Sequence, residues 1–406
     1  MRNHLKTYEP TLAGLEHKYH IAMKEKSMAK LQADKLATRA ETLEQQLKQS
    51  QSLSASMVGR TTDESAETAR KAAAAKAAST KKAAAAKAAD KSLTAFQDRE
   101  NPYYNLTFEP QQADKYQMKK TYKAHMAPIS ALALHPKKSI VATASDDNTW
   151  KMWTIPNGEL IMTGEGHKSW VSCVDFHPRA ANLATSSGDG TVKIWDFAKS
   201  KCVATLADHA QAVWGCAYHD SGDFIASCSM DHTAKLWDVA RQKCRLTLRG
   251  HVDSINAIIF QPFSNNICTC SGDKTVSLWD ARTGLCIQTF YGHLNSCNHV
   301  AFNLRGDTIA STDADGGVRL WDVRMVQERL QINAGPHAAN KVALDRSGTV
   351  LAVGSDDHSI KVYSAEDGSF LSTLDGHEEA VQAVIFDASA QSLISSGSDS
   401  TFRLWG

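Results

Sequence analysis

Apolar and polar residues alternate in short runs over most of the chain beyond residue 116. Four such runs, VSCVDFHP, NLATSSGD, TVKIWDFA and KCVATLAD, follow one another within residues 171–208. Turn residues such as Gly, Asp and Pro separate them. Alternation over four to eight residues is typical of strands with one buried face, so this segment predicts four short strands.

The four-strand unit repeats with a period of 42 residues. The marker of the period is an aromatic residue near the end of the third strand in each unit: Trp153, Trp195, Trp237, Trp279, Trp321, Tyr363 and Trp405. Four strands in about 40–45 residues are typical of one β-propeller blade. The chain is therefore predicted to contain an all-β, seven-bladed propeller.

Polar residues recur at fixed distances before each aromatic residue. An Asp stands six residues before it, a Ser or Thr ten before it, and a His 28 before it. The six complete tetrads are His125, Thr143, Asp147 and Trp153; His167, Thr185, Asp189 and Trp195; His209, Ser227, Asp231 and Trp237; His251, Thr269, Asp273 and Trp279; His293, Ser311, Asp315 and Trp321; and His377, Ser395, Asp399 and Trp405.

A hydroxyl, an imidazole and a carboxylate are also the groups of nucleophilic catalysis. Six copies do not make six active sites, however, and a buried imidazole or carboxylate is costly unless it is partnered. We expect a structural hydrogen-bond network in each blade and no catalytic residue. In the sixth unit Gly335, Val353 and Tyr363 replace three members and leave Asp357. That blade is expected to lack its network and to be locally softer.

The two ends of the repeat region predict how the ring closes. The chain stops at FRLWG, after the third strand of the seventh unit, and YQMKKTYKAH (116–125) matches SFLSTLDGH (369–377) in its apolar spacing. An N-terminal strand is expected to complete the last blade and so remove its exposed edge. Residues 116–406 are then one closed ring.

The pairs GH at 166–167, 250–251, 292–293 and 376–377, and WD at 195–196, 237–238, 279–280 and 321–322, resemble the WD-repeat (WD40) family. In that family the tetrad is a buried network. The residues three and five after the His, and the one before the Asp, commonly face the narrow end of the ring. Here these positions place Trp170, Trp214 and Met230 together as a predicted partner-binding hot spot. The alternative is that one Trp packs between blades.

The first hundred residues have a different pattern. From residue 12 a heptad register places apolar residues on one seam, which predicts a coiled coil over 1–52 and a homodimer. The seam includes Leu12, Leu15, Tyr19, Leu36, Leu43 and Leu47. A single helix packed on the propeller is the alternative.

Three segments join the coiled coil to the ring: a linker over 53–67, an Ala/Lys-rich helical spacer over 68–95, and a second linker over 96–115. The spacer carries lysine rows at Lys71, Lys76, Lys82 and Lys87. Residues 1–100 hold 18 Lys/Arg and 12 Asp/Glu, a balance of +6, whereas the other 306 residues hold 27 and 32, a balance of −5. Such a basic arm suits an acidic filament surface, and a plain spacer is equally consistent with it.

Several stretches resemble one group within the WD-repeat family. TSSGDGTVKIWD, QPFSNNICTCSGDKTVSLWDARTGLC, AVWGC and the altered sixth repeat look like the sperm-associated antigen sixteen, or "paralysed flagella", family. The resemblance implies a non-enzymatic, cytoskeletal scaffold of the ciliary or flagellar axoneme that bridges the two central microtubules and supports motility. Its implied partners are other central-apparatus proteins, including an armadillo-repeat protein.

Two other functions fit a coiled coil followed by a propeller: an autophagy adaptor that recruits a conjugating enzyme, and a regulator of the microtubule motor dynein. No apolar run approaches the roughly 18 residues of a membrane span, and the start MRNHLKTYEP lacks the apolar core of a secretory signal. We expect an intracellular protein with reduced cysteines, no metal or cofactor, and neither membrane nor nucleic acid as a partner.

Overall fold

Each 42-residue unit forms one antiparallel sheet because its β-branched and aromatic residues alternate with polar ones between short turns. The computed structural model describes residues 100–110, 112, 115–387 and 392–406. They form seven four-stranded sheets. The predicted coiled coil with its seam, from Leu12 to Leu47, and the spacer with Lys71, Lys76, Lys82 and Lys87 lie outside the described residues.

The first four blades follow the repeat in chain order. Blade one contains β2 (Ile129–Leu134), β3 (Ile140–Ser145), β4 (Trp150–Thr154) and β5 (Leu160–Gly164). Blade two contains β6 (Val171–Phe176), β7 (Asn182–Ser187), β8 (Val192–Asp196) and β9 (Lys201–Leu206). Blade three contains β10 (Val213–Tyr218), β11 (Phe224–Ser229), β12 (Thr233–Asp238) and β13 (Lys243–Arg249). Blade four contains β14 (Ile255–Phe260), β15 (Asn266–Ser271), β16 (Thr275–Asp280) and β17 (Cys286–Tyr291).

The last three blades continue the order, and the seventh is completed from the start of the ring. Blade five contains β18 (Cys297–Phe302), β19 (Thr308–Asp313), β20 (Gly317–Asp322) and β21 (Gln327–Asn333). Blade six contains β22 (Ala339–Leu344), β23 (Val350–Ser355), β24 (Ser359–Ser364) and β25 (Phe370–Asp375). Blade seven contains β26 (Val381–Phe386), β27 (Leu393–Gly397), β28 (Thr401–Trp405) and β1 (Met118–Lys123).

Pairing of β1 with β28 closes the ring, as the matching ends of the sequence predict. The two strands are antiparallel, with Tyr122 opposite Phe402. Their rings stack with centroids 4.5 Å apart and planes 15° apart. The fourth strand of blade seven is therefore β1, which precedes blade one in the chain, and its pairing leaves β28 without an open edge.

The apolar core lies between neighbouring blades. One cluster joins Phe224, Leu236 and Leu248 of blade three to Phe260 and Trp279 of blade four, and all five are at most 5% exposed. Burying such a side chain contributes about 1.5–3 kcal/mol relative to leaving it in water. Each blade is thus held by the apolar faces of its two neighbours.

Residues 101–108, within the segment predicted as a linker, contact the ring. The Asn101 side-chain amide donates to the backbone carbonyls of Leu304 and Arg305, both at 3.0 Å. The Tyr103 ring lies 5.6 Å from that of Phe263, and the Arg346 guanidinium lies 4.2 Å from the Phe108 ring centre. These contacts fix the segment to the turns between the first and second strands of blades four to six.

Candidate functional site

The turns between the second and third strands position the aspartates of the repeated network. The residue after the Asp has a positive φ in every blade, for example 63° at His232 and 78° at Gly190. This left-handed residue makes the turn tight, so the Asp side chain folds back towards the His before the first strand. The Ser or Thr of the second strand and the Trp of the third then meet the same His.

Six blades contain the network with nearly constant geometry. The His Nδ1 lies 2.7–3.0 Å from an Asp carboxylate oxygen. The His Nε2 lies 2.6–2.8 Å from the Ser or Thr hydroxyl oxygen. The Trp indole N–H donates to that hydroxyl oxygen at 2.7–3.2 Å. In all but blade five the carboxylate is the one predicted from the spacing.

The network supplies every polar group with a partner. A neutral His that donates from Nδ1 to the Asp accepts the hydroxyl proton at Nε2, and the hydroxyl oxygen accepts the Trp N–H. All six hydroxyl-bearing residues are 0% exposed. A hydroxyl that is fully buried and bonded on both sides is out of reach of a substrate, so the arrangement braces each blade rather than forming a nucleophilic site.

Burial and hydrogen bonding shift the pKa values in opposite directions. Burial lowers the pKa of His125, His167 and His209, since it disfavours the charged imidazole. For Asp189 and Asp231 burial acts to raise the pKa, but hydrogen bonds from the neighbouring Thr, the His and a backbone N–H outweigh it. The pKa of each of these two carboxyls falls to about 2. The folded state thus holds a neutral His against an ionised Asp.

The expectation that Asp315 serves blade five is wrong, because Asp313 takes that place. The His293 Nδ1 lies 2.8 Å from Asp313 Oδ2, and the Gly317 N–H donates to Asp313 Oδ1 at 2.6 Å. Gly317 stands where the other complete blades carry Thr, and a Cβ there would lie 2.5 Å from Asp313 Oδ2. The missing side chain makes room for a carboxylate that arises two residues earlier. Asp315 instead accepts from the exposed Asn295 amide at 2.8 Å.

The sixth blade does have a network, contrary to expectation, and a lysine is at its centre. The Lys361 ammonium donates to the Asp357 carboxylate and, at 2.5 Å, to the Ala334 carbonyl. It lies beside Gly335, where a Cβ would be 3.0 Å from Nζ. The cation therefore supplies to Asp357 the donor that the His Nδ1 supplies to the Asp in the other blades. The prediction that this blade is softer is not addressed by these contacts and stays a prediction.

The seven innermost strands surround a central cavity of about 700 Å³, whose opening we call the channel mouth. Trp170 and Trp214 stack there with ring centroids 4.9 Å apart. Trp170 is half-buried over Gly188, where a Cβ would lie 2.4 Å from the indole ring. Trp214 is 38% exposed and Met230 is 49% exposed. The two tryptophans are thus a fixed, partly exposed aromatic surface on blades two and three.

A belt of hydrogen bonds between blades lines the channel mouth and is interrupted at blades three and seven. The residue five after the His position donates to a carbonyl of the next blade in five cases: Ser130 to Val171, Ser172 to Val213, Asn256 to Cys297, Asn298 to Ala339 and Asn340 to Val381. The equivalent residue in blade three is Trp214, which stacks on Trp170 instead. Gln382, the equivalent residue in blade seven, donates to Ser398 of its own blade at 3.1 Å.

Sequence reasoning missed three polar side chains that line the cavity, Cys173, His299 and Lys341, and the carboxylate of Asp175 on the same strand as Cys173. Burial raises the pKa of Asp175 to about 7, although its carboxylate accepts the Tyr218 N–H at 2.7 Å. Cys173, His299 and Lys341 occupy one position of the repeat, where the other four blades have Ala or Gly. This difference is the sequence signal that could have identified them. In the described residues no three His, Cys, Asp or Glu side chains form a group suited to a metal ion. Nor does any described helix have the length and apolarity to cross a membrane.

Comparison with known proteins identifies the repeats. The family model of the WD domain, G-beta repeat, matches residues 116–154, 158–196, 200–238, 242–280, 284–322, 331–364 and 368–406. The chain is 50% identical over 188 residues to the flagellar WD repeat-containing protein Pf20 of Chlamydomonas reinhardtii. It is 39% identical over 177 residues to the human sperm-associated antigen 16 protein and 38% identical over 191 residues to that of the mouse.

These relatives are the group that the repeat sequences resemble, so the resemblance is confirmed. Each match covers 41% of this chain. The chain spans less than a third of the relatives, namely 31% of Pf20, 28% of the human protein and 30% of the mouse protein. Each of the seven matched segments contains all or part of the outer strand of one blade and the three inner strands of the next, so the sequence repeats are offset by one strand from the seven sheets. The chain belongs to the WD40 (G-beta repeat) family.

Proposed function

We propose that this chain is a non-catalytic scaffold of the ciliary or flagellar axoneme, located in the central apparatus, where it bridges the central-pair microtubules and supports motility. The observation that supports it best is the 50% identity over 188 residues to a flagellar WD-repeat protein. The buried and fully bonded tetrads favour a structural role over catalysis, because no tetrad hydroxyl is accessible.

The channel mouth is the proposed contact for a partner protein. Stacked tryptophans combine a large contact area with little conformational freedom to lose, which is typical of interface hot spots. Asp146 and Asp356 line or adjoin the same opening on blades one and six. A partner segment with an apolar anchor over Trp170, Trp214 and Met230, followed by basic residues, fits this surface. We place central-apparatus proteins, including an armadillo-repeat protein, among such partners.

The N-terminal arm completes the proposal. A homodimer through Leu12, Leu15, Tyr19, Leu36, Leu43 and Leu47 would present two rings, and simultaneous engagement of both gives avidity. The rows Lys71, Lys76, Lys82 and Lys87 are a proposed contact to the acidic microtubule surface.

The decisive experiment follows a tagged full-length chain in a flagellated cell after detergent extraction of the axoneme. Retention along the axoneme, lost in a strain without the central pair, is the expected result. A diffuse signal, a signal on vesicles, or co-purification with dynein heavy chain refutes the central-apparatus assignment. The first two of these would favour the autophagy adaptor, and the third the dynein regulator.

The contact surface has its own test. Replacing Trp170 and Trp214 together by Ala is expected to reduce axonemal retention at least tenfold, since a hot-spot residue is worth about 2 kcal/mol or more. The matched control is Lys168→Ala, an exposed change on the same loop. If the double variant unfolds at a much lower temperature than the control, the tryptophans are part of the core and the proposed contact is wrong.

A further inference from the structure

Blade four differs from the other blades around a groove on its outer side. The groove has a volume of about 440 Å³, and its lining includes Val252, Ser277, Trp279, Leu285 and Tyr291. It follows β16 and β17, on the side that faces the connection from β13 to β14. Three positions of the 42-residue repeat meet here, and each has an unusual residue in blade four.

The first position lies two residues before the aromatic marker and is basic in the other six blades: Lys151, Lys193, Lys235, Arg319, Lys361 and Arg403. Some of these long side chains reach the outer strand of their blade, among them Lys193 and Arg319. Lys193 Nζ donates to Thr205 Oγ1 at 3.0 Å, for example. Blade four has Ser277, whose hydroxyl reaches only the equivalent Thr289, at 3.3 Å. The volume that a Lys or Arg stem fills elsewhere is open in this blade.

The second position lies six residues after the aromatic marker and is Leu285, which is 68% exposed. In the five other blades whose outer strand directly follows the third strand in the chain, this position is polar: Glu159, Lys201, Lys243, Gln327 and Ser369. The third position, at the far end of the outer strand, is Tyr291, which is 75% exposed. Ile287, 52% exposed, lies between them. Folding does not explain these residues, since most of their surface stays in water.

The outer strand of blade four also lacks the charge that usually protects a sheet edge. No Asp, Glu, Lys or Arg occurs from Thr283 to Leu304, whereas every other outer strand contains or directly adjoins one. Within the groove, the Asp273 carboxylate is already bonded to His251, to the Val252 N–H and to Thr275. Arg249 stands at the rim. No carboxylate of the groove is therefore left to receive a cation, and among the residues that line it Arg249 is the one cation that an anionic ligand would meet.

We propose that this surface, Val252, Leu285, Ile287 and Tyr291 around the groove, docks an uncharged apolar segment of another protein. An aromatic or long aliphatic side chain of that segment fills the space that Lys or Arg fills in the other blades. The uncharged outer strand determines the chemistry of the partner, because a charge buried against Leu285 and Tyr291 would lose its hydration without compensation. The surface lies on the outer edge of blade four and is separate from the channel mouth.

The chain provides a matched pair of probes for a test. Cys286 lines the groove and is exposed, and Cys202 is exposed at the equivalent position of blade two. The full-length variant Cys173→Ser/Cys202→Ser/Cys244→Ser is labelled with benzophenone maleimide at Cys286, and Cys173→Ser/Cys244→Ser/Cys286→Ser is labelled at Cys202. Each is added to detergent-extracted axonemes and illuminated, and the cross-linked peptides are mapped by mass spectrometry.

We expect Cys286, and not Cys202, to cross-link to one segment without charged residues in another axonemal polypeptide. Adding Ser277→Lys refills the groove with the residue type of the other blades, so it should keep the melting temperature and reduce the cross-link at least fivefold. Phe370→Lys, which places a Lys at a 58%-exposed site on the outer strand of blade six, should change nothing.

Four results overturn the proposal: a cross-link to a second copy, a cross-link to the chain's own arm, a cross-link to a charged segment, or a yield that Ser277→Lys leaves intact. The test uses axonemes, so this proposal rests on the proposed axonemal function. Retained chain without a Cys286 cross-link to another protein overturns the docking surface alone. Chain that the axonemes do not retain overturns both.

Discussion

The carboxylate exchange in blade five makes a quantitative prediction. Asp313 is 4% exposed and accepts hydrogen bonds from His293 Nδ1 and the backbone N–H groups of Asp315 and Gly317. Asp313→Ala leaves the His293 N–H buried without an acceptor, which costs about 1–3 kcal/mol, and it removes charged hydrogen bonds worth about 1.5–3 kcal/mol each. Because such terms are not additive, we expect the free energy of unfolding to fall by about 3–4 kcal/mol in all.

The neighbouring carboxylate provides the control. Asp315 bonds to an exposed Asn295 amide, so Asp315→Ala should change the free energy of unfolding by about 0.5 kcal/mol or less. Urea unfolding of the full chain, followed by tryptophan fluorescence, reports both values through the midpoint and the slope. Equal losses for Asp313→Ala and Asp315→Ala would refute the assignment of Asp313 to the network.

A rescue experiment tests the cause of the exchange. In blade two, Ser187 stands at the position of Asp313, and Thr191 donates to Asp189 at 2.6 Å through its hydroxyl. Asp313→Ser combined with Gly317→Thr recreates this arrangement and should let Asp315 bind His293. Gly317→Thr alone should destabilise, since its Cβ would meet Asp313, whereas with Asp313→Ser it should restore about 2 kcal/mol. The same effect of Gly317→Thr in both backgrounds would contradict the steric argument.

Three further predictions concern other parts of the ring. Lys361→Met should lower the free energy of unfolding by about 2–3 kcal/mol, because Asp357 and the Ala334 carbonyl lose the ammonium donor. In the same urea assay Lys361→Arg should lose less than half as much, because the guanidinium can still donate. Stability should fall in two steps on acidification, measured as melting temperature against pH. Below about pH 6.5 the histidines with lowered pKa take up protons in the unfolded state, and below about pH 4 the aspartates with a pKa of about 2 do so. Constant stability from pH 7 to 5 would contradict the first step. Tyr122→Ala should cost about 3–5 kcal/mol by opening the seal between β1 and β28, while the exposed Thr121→Ala on the same strand should cost about 0.5 kcal/mol or less; equal losses would show that closure does not depend on the stacked pair.

The 42-residue spacing predicts the ring and most of its networks because every blade faces the same packing problem. A four-stranded sheet must match its two neighbours, so a shared geometry demands the same residue at the same place. Spacing alone misplaces the carboxylate of blade five, since Asp313 is usable only where Gly317 leaves room for it. Asp313 and Gly317 compensate for each other because they are in contact in the folded blade, whereas in the sequence they are two unrelated deviations from the repeat.

The network of blade six was missed for a related reason. Lys361 belongs to the basic series two residues before the aromatic marker. In blade two this residue, Lys193, reaches Thr205 of the outer strand, whereas in blade one Lys151 donates to the Ala124 carbonyl. With Gly335 in place of the His, Lys361 pairs with Asp357 as well as with the Ala334 carbonyl. The identity of Lys361 gives no sign of this change, because it follows from the free space beside Gly335.

Differences between blades separate what the ring requires from what it does not. A residue that stabilises a blade is needed in all seven blades, so it either recurs in each or is replaced by another residue that makes the same kind of contact. Asp313 and Lys361 are such replacements. Trp214 and Ser277 are neither: one interrupts the belt between blades and the other leaves a groove open. Both changes give up interactions within the ring and expose apolar surface, which selection for stability alone would remove. They lie on the adjacent blades three and four, so the contacts of this protein with its partners should be concentrated on that side of the ring.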